Sequence, residues 1–269
     1  MKSYICGCVR NCGPHLDAVF ANIDTIAELF EETTIIIAYD VGTDNSLAIL
    51  QQKQMHYGNR MILLQNPNPV SQIRTQNIAN ARNSILSSIR KLNNPTYEYM
   101  IMLDMDDVCA GPMDISVLSR FMGRDDWDML SFNKPDYYDI WALSIVPCLF
   151  SCWHFEDPYG CVTMMKRYIT ERLVRMADDE LLDCASAFNG LGIYRMSKFV
   201  HCSYGWELKP NIKLTEKLFP NFIDANCRAL ERRVDIRFNA DCEHRWFHMS
   251  AILINNARIR ISKLCLFTK

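Results

Sequence analysis

Asp104-Met105-Asp106-Asp107 is the stretch of this chain best equipped to do chemistry. It stands directly behind the apolar run Tyr99-Met100-Ile101-Met102-Leu103, which reads as a buried strand. The carboxylates therefore lie where a strand leaves its sheet, the edge at which open α/β sheets bind ligands. Carboxylates packed this closely repel one another unless a cation neutralises them. A hard divalent ion, Mg²⁺ or Mn²⁺, shared between carboxylate oxygens and a substrate's phosphates, answers that description. A solvated acidic turn capping the next helix is the plainer alternative.

The elements that must position these acids alternate along the chain. Ser3–Val9 reads as a strand, and Leu16–Phe30 as a helix with Leu16, Val19, Phe20, Ile23, Ala27 and Phe30 on one stripe. Thr33–Tyr39 is a β-branched strand, Ser46–Gln54 a helix and Arg60–Gln65 a strand. Asn66-Pro67-Asn68-Pro69 is a breaker loop. Ile73–Lys91 is a long helix, Tyr97–Leu103 the strand before the acids, Ile115–Met122 a helix and Trp127–Asn133 a strand. This rhythm predicts an α/β fold with a mainly parallel sheet and helices on both faces. No G-x-G-x-x-G follows the first strand, so the dinucleotide fingerprint is missing.

After residue 134 the pattern changes. Lys134-Pro135-Asp136-Tyr137-Tyr138-Asp139-Ile140-Trp141 and Cys152-Trp153-His154-Phe155-Glu156-Asp157-Pro158-Tyr159 are rich in aromatics and acids. Such rings stack on sugars; they also simply anchor long loops to a core. Cys161–Met176 reads as a helix and Phe188–Arg195 as a strand carrying Gly190 and Gly192.

With 269 residues, 49% apolar and 11% aromatic, the chain can build a substantial core. A net charge of −2 gives no basic field for nucleic acid and no charged tail, so the expected partner is a compact ligand. The twelve cysteines contain no C-x-x-C pair, which argues against a zinc ribbon. Cys6 and Cys8 share one face of the first strand and read as small buried hydrophobes. Met1-Lys2-Ser3-Tyr4-Ile5-Cys6 enters that strand without an apolar leader, and no stretch reaches the ~18 apolar residues of a membrane span. These features predict a cytoplasmic protein with free thiols, peripheral association with a membrane left open.

Three pieces, in order, resemble the nucleotide-sugar glycosyltransferases of the GT-A fold. Tyr39-Asp40-Val41-Gly42-Thr43-Asp44-Asn45-Ser46 is similar to the D-D-G-S-x-D-x-S segment after their second strand, one residue shorter and with Val41 in place of an acid. Asn80-Ala81-Arg82-Asn83 is similar to their A-R-N helix opening, and Leu103-Asp104-Met105-Asp106-Asp107 to their D-x-D. The resemblance covers roughly residues 1–135. Some features resemble family 2-like and capsule-mannosyltransferase-like members, and no subfamily is assigned. It implies a Rossmann-like GT-A domain over residues 1–269, with a nucleotide-sugar-binding half, 1–135, and an acceptor-binding half, 136–269. Two weaker echoes follow. Phe188–Arg195 looks like the glycine-bearing acceptor-side strand. Asp241-Cys242-Glu243-His244, leading into Arg245-Trp246-Phe247-His248, stands where many members carry an E-D pair at a helix N-terminus.

The resemblance implies transfer of a sugar from a UDP- or GDP-type donor to a glycan, glycoconjugate or other hydroxyl acceptor, with Mn²⁺ or Mg²⁺. Asp106 and Asp107 would ligate the metal, with Asp104 acting through the ribose or a water. Arg82 would bond the donor or its diphosphate, Asp40 the nucleobase or ribose beside Gly42, and Arg10 the nucleotide. For Arg10 and Arg74 a surface salt bridge is the alternative. Glu243 is the candidate catalytic base. His244 replaces the second acid, and it or His248 could complete the metal shell; an ordinary hydrogen-bonded histidine is the alternative. If Glu243 is not the base, Asp139, Glu156, Asp157 and Asp183 are the next candidates. Two rival readings remain. Leu103-Asp104-Met105-Asp106-Asp107-Val108 also fits the haloacid-dehalogenase phosphatase signature, with Asp178-Asp179 as its later acids. A non-catalytic nucleotide-sugar-binding relative is the other.

Overall fold

The computed structural model describes residues 1–66, 71–155, 157–222 and 239–267. Positions 67–69 of the breaker loop, Val70 and Glu156 lie outside them. Among the described residues, β1 (Lys2–Val9), β2 (Glu32–Asp40), β3 (Met61–Asn66), β4 (Tyr97–Asp104), β5 (Met129–Asn133), β6 (Leu181–Cys184), β7 (Leu191–Arg195) and β8 (Ile259–Cys265) form one sheet. The spatial order is β3-β2-β1-β4-β7-β5-β8-β6. Strands β3, β2, β1 and β4 are parallel neighbours; β7 is antiparallel to β4 and β5, and β6 to β8. The expected mainly parallel α/β sheet is therefore present, with strands from both halves of the chain interleaved in it.

The central strands are apolar on both faces, as strands covered on both sides must be. Tyr4, Cys6, Ile36, Met100 and Met102 face one core, where Ile85 and Ile89 of α3 (Arg74–Leu92) and Phe247 of α8 (Glu243–Asn255) pack. Ile5, Ile35, Ile37, Ile101 and Leu103 face the other, against Leu16, Phe20 and Ile23 of α1 (Leu16–Ala27) and Phe121 of α4 (Ile115–Met122). Cys6 is buried in this way, and every described cysteine is free.

Element boundaries moved for identifiable reasons. α1 ends at Ala27, but Leu29 and Phe30 donate to Ile26 and Ala27 in a tightened last turn, so Phe30 stays in the apolar stripe. α2 (Ser46–Tyr57) runs one turn past Gln54 and stops at Gly58, whose φ is 56°. α5 (Pro158–Val174) starts before Cys161 because the Asp157 side chain accepts from Gly160 N and Pro158 occupies the first turn. β5 begins two residues after Trp127, whose fully buried indole N–H donates 3.0 Å to Phe121 O. The sequence reading assigned no element to α6 (Met196–Phe199), α7 (Leu208–Leu218), β6 or β8.

Candidate active site

The parallel strands deliver their last residues to one edge. Cys8 pairs with Asp104, Val9 with Tyr39, and Asp40 with Asn66, so Arg10, Asp40 and Asp104 end up in a row. Asp104 N donates 2.8 Å to Gly190 O, continuing the ladder one residue beyond β4. Met105 then turns into the core against Gly7, where a Cβ would lie 2.4 Å from its sulfur. In extended chain, residues i and i+2 share a side. Burying Met105 therefore leaves Asp104 and Asp106 together on the open side. Asp106 Oδ1 accepts from Val108 N at 3.1 Å, capping a single 3₁₀ turn and leaving its second oxygen uncommitted. Asp107 is exposed.

Gly190 has a φ of 94°, and an added Cβ would meet Val108 Cγ1 at 2.6 Å. Gly190→Ala is expected to cost about 1–3 kcal/mol of stability, read from urea unfolding, and to loosen the Asp104–Val108 turn.

The two halves of the chain meet at Arg82. It lies on α3, 5% exposed, and its Nη1 pairs with Glu243 and touches His244 Nε2. Its Nη2 reaches Asp104 Oδ1 at 3.4 Å. The rings of Phe188 and Tyr204 flank the guanidinium, with centroids 4.9 and 5.6 Å away. Asp139 completes the group, its Oδ1 accepting from Ala142 N and its own N–H donating to Asn189 Oδ1.

One buried cation thus faces several carboxylates, and two of them, Asp104 and Asp139, are raised, chiefly by burial. Burial pushes Asp104 up to about 7; Arg82 opposes this, and Asp106, Asp139 and Glu243 add to it. Burial likewise raises Asp139 to about 6, with its Ala142 bond and Arg82 opposing and Glu243 adding.

Three of the four imidazole nitrogens of His244 and His248 are taken up by other groups, while His244 Nδ1 is buried with no hydrogen-bond partner among the described residues. His244 stacks on Phe188 at 3.8 Å, with Nε2 against the Arg82 guanidinium; burial, then Arg82 and His248, hold it neutral well below its ordinary range. A cation added at that nitrogen would meet a guanidinium. His248 sits between Ser186 Oγ at 3.0 Å and Tyr194 OH at 3.1 Å, the plain hydrogen-bonded alternative.

The β1–α1 and β2–α2 loops interlock beside the row of strand ends. Asp44 accepts from Gly13 N, Ser46 Oγ from Cys12 N, and Asn11 Oδ1 from Thr43 N. A Cβ on Gly42 would lie 2.3 Å from Asn11 Oδ1, so a larger residue here would displace the Asn11 side chain. Asp40 is buried, bonded by Asn66 Nδ2 at 2.9 Å, and borders a groove of about 930 Å³ between the ends of β2 and β3 and α3. Arg10 and Arg74 are exposed and have no ion pair among the described residues, so the salt-bridge alternative is not seen.

Other candidates are engaged elsewhere. Asp157 caps α5 and Asp183 pairs with Arg260. Asp178 pairs with Lys263 at 3.1 Å and Asp179 O accepts from Arg124; neither belongs to the Arg82 cluster, and Asp104 follows the fourth strand, not the first. The phosphatase reading thus loses both its later acids and the first-strand position of its motif. Of the aromatic loops, Tyr137 is core, whereas Tyr138, Trp153 and Tyr159 are exposed, the last two edge-to-face at 6.0 Å.

Sequence reasoning missed Phe188 and Tyr204 as the walls of the Arg82 site. It also missed Asp241 and Arg245, a buried pair at 3.1 Å. Burial alone would raise Asp241, but Arg245 and His154 hold it at about 2. An Asp and an Arg four apart at a predicted helix start was the available signal.

Among the described residues, no three His, Cys, Asp or Glu side chains close a metal cage. The donor set nevertheless fits a divalent ion that keeps open positions for phosphates: hard oxygens, a free Asp106 oxygen and uncompensated negative charge.

No protein-family model matches the chain, and no curated protein matches it. Similar folds occur among solved structures. S. aureus TarS 1-349 in complex with UDP-GlcNAc is 14% identical at a TM-score of 0.49; the match covers 99% of this chain and 57% of that one. Mannosyltransferase PcManGT from Pyrobaculum calidifontis, in complex with GDP-Man and Mn²⁺, is 12% identical at 0.41, covering 76% and 47%. Glucosyl-3-phosphoglycerate synthase from Mycobacterium tuberculosis with UDP is 10% identical at 0.43, covering 82% and 68%. This chain thus spans little more than half of the TarS chain. The chain shares with the expected fold a mixed, mainly parallel sheet in which antiparallel β7 is set between β4 and β5.

Proposed function

We propose that the chain is a metal-dependent glycosyltransferase that moves a sugar from a nucleoside-diphosphate sugar to a hydroxyl acceptor. The observation that carries this is the gathering of Asp104, Asp106, Asp139 and Glu243 around the single buried guanidinium of Arg82, at the carboxyl edge of the sheet. That surplus of negative charge calls for a cation, and the adjoining groove has room for a nucleotide.

Asp106 would hold the ion, with Asp104 and Asp107 beside it. When bound, a divalent ion offsets the charge that develops on the departing diphosphate. Asp40, held by Asn66, accepts hydrogen bonds from the base or ribose, and exposed Arg10 reaches the nucleotide from the end of β1. Arg82 fixes Asp104 and Glu243 relative to each other and lends positive charge to the donor side. The UDP- and GDP-sugar complexes of the similar structures suggest a donor of either type. We assign both halves to one catalytic unit, and place it in the cytoplasm because free thiols persist in a reducing compartment. No helix among the described residues is long and apolar enough to cross a membrane.

Calorimetric titration with UDP-GlcNAc, UDP-glucose and GDP-mannose tests this reading. One donor is expected to bind with Mn²⁺ or Mg²⁺ and to lose measurable binding in EDTA. Binding of equal strength in EDTA, or Asp104-dependent phosphate release from an aryl phosphate, would refute it.

A further inference from the structure

Glu243 and Asp139 are both near Arg82, yet only one of them is free to gain a proton. The Glu243 side chain is 6% exposed and paired with Arg82, which among the described residues has no other ion pair beyond the 3.4 Å contact to Asp104. Protonating Glu243 would strand a guanidinium boxed between Phe188 and Tyr204. Asp139 differs on each count. It is partly exposed, and among the described residues it has no ion pair; its carboxylate accepts only backbone hydrogen bonds, from Ala142 and Asn189.

Asp139 is also held in place from two sides. Asn189, at a φ of 57°, accepts from Asp139 N and donates to Phe132 O, tying it to β5 beside Gly190, the residue that fixes Asp104. Arg245 pairs with Asp241, two residues before Glu243, and donates to Leu143 O and Leu149 O, so the loop after Asp139 is pinned to the start of α8. Exposed Tyr138 precedes it on the same loop. A carboxylate that is fixed, partly open and unpaired, beside acids suited to the donor's metal, is placed to receive a proton from a bound hydroxyl.

We infer that Asp139, and not Glu243, is the catalytic base that deprotonates the acceptor hydroxyl, while Glu243 serves to hold Arg82. The assignment rests on the transferase reading. In the step, the acceptor oxygen bonds to C1 of the donor sugar as the C1–O bond to the diphosphate breaks. The bonding pair leaves with the nucleoside diphosphate, and the hydroxyl proton passes to Asp139, which later returns it to water. A base separate from the leaving group goes with single displacement, so the configuration at C1 inverts.

Water serves as the acceptor probe. The full chain is mixed with Mn²⁺ and whichever of UDP-GlcNAc, UDP-glucose or GDP-mannose it binds, and release of nucleoside diphosphate is followed. Asp139→Asn is expected to slow hydrolysis by ~10²–10⁴ with donor Kd and thermal unfolding unchanged. Formate is expected to restore part of the rate to Asp139→Ala, which a purely structural role for Asp139 would not allow. NMR of the sugar as first released is expected to find it inverted. Parent-like hydrolysis by Asp139→Asn, or retained configuration, overturns the assignment alone. Loss of hydrolysis in Glu243→Gln with Asp139→Asn still active returns the role to Glu243. Failure of the parent to bind any of the three donors with metal overturns the transferase reading, and this assignment with it.

Discussion

Asp106→Ala is expected to abolish metal-dependent donor binding while leaving the fold intact. Asp106 contributes one backbone cap to a 3₁₀ turn that is packed through Val108 and Cys109, so little packing is lost with its carboxylate. Losing that cap costs about 1 kcal/mol. The metal-facing oxygen, by contrast, has no substitute: Asp104 is shared with Arg82 and Asp107 is exposed at the rim. Removing even a supporting group around a metal lowers affinity 10–100-fold, so removing a direct ligand should weaken Mn²⁺-dependent donor binding by at least about 100-fold. Calorimetry with the parent's preferred donor, with and without Mn²⁺, reads this directly. A variant that still binds in a metal-dependent way within a few-fold of the parent would remove Asp106 from the site.

Arg82→Met should be the most destabilising single change at the site. Methionine fills much of the aromatic box but leaves Glu243 buried without a partner. Breaking a buried pair from one side costs about 3–5 kcal/mol, because the remaining charge is uncompensated. Exposed pairs such as Arg167–Glu171 contribute far less. Urea unfolding should therefore give a lower midpoint at an unchanged m-value. The double variant Arg82→Met with Glu243→Leu should recover a large part of the loss, since it removes the stranded carboxylate. If the double variant is as unstable as Arg82→Met plus Glu243→Leu added together, the ion pair is not what Arg82 contributes.

The acid cluster was readable because it depends on local order alone. An apolar run followed at once by three carboxylates must leave a buried strand and expose its acids, and the β-α rhythm predicts on which edge. The same locality carried β1 to β5, α1 to α3 and the helix at 115–122. Asn66 and Asp44 took up roles within the loops where the motifs lay.

What failed to transfer was pairing across distance. β8 shows apolar and polar alternation in Ile259-Arg260-Ile261-Ser262, yet nothing in it names β5 and β6 as its neighbours. His244 reads from the sequence either as a metal ligand or as an ordinary histidine, and no local signal places its Nε2 against Arg82 and its ring on Phe188. Asp139 carries no motif and drew notice only as one of several spare acids.

The sequence by itself determined the α/β sheet, the edge at which ligands bind and the residues at its strand ends, since hydrophobic period and turn chemistry act over a few residues. Only the tertiary structure decided which acids share one cation. Arg82 and Glu243 are 161 positions apart. Their meeting depends on antiparallel β7 joining the halves of the sheet and on α8 packing against α3. Burial then sets charge: the same Asp side chain sits at about 7 in Asp104 and about 2 in Asp241, because one shares a guanidinium with other acids and the other has Arg245 and His154 beside it.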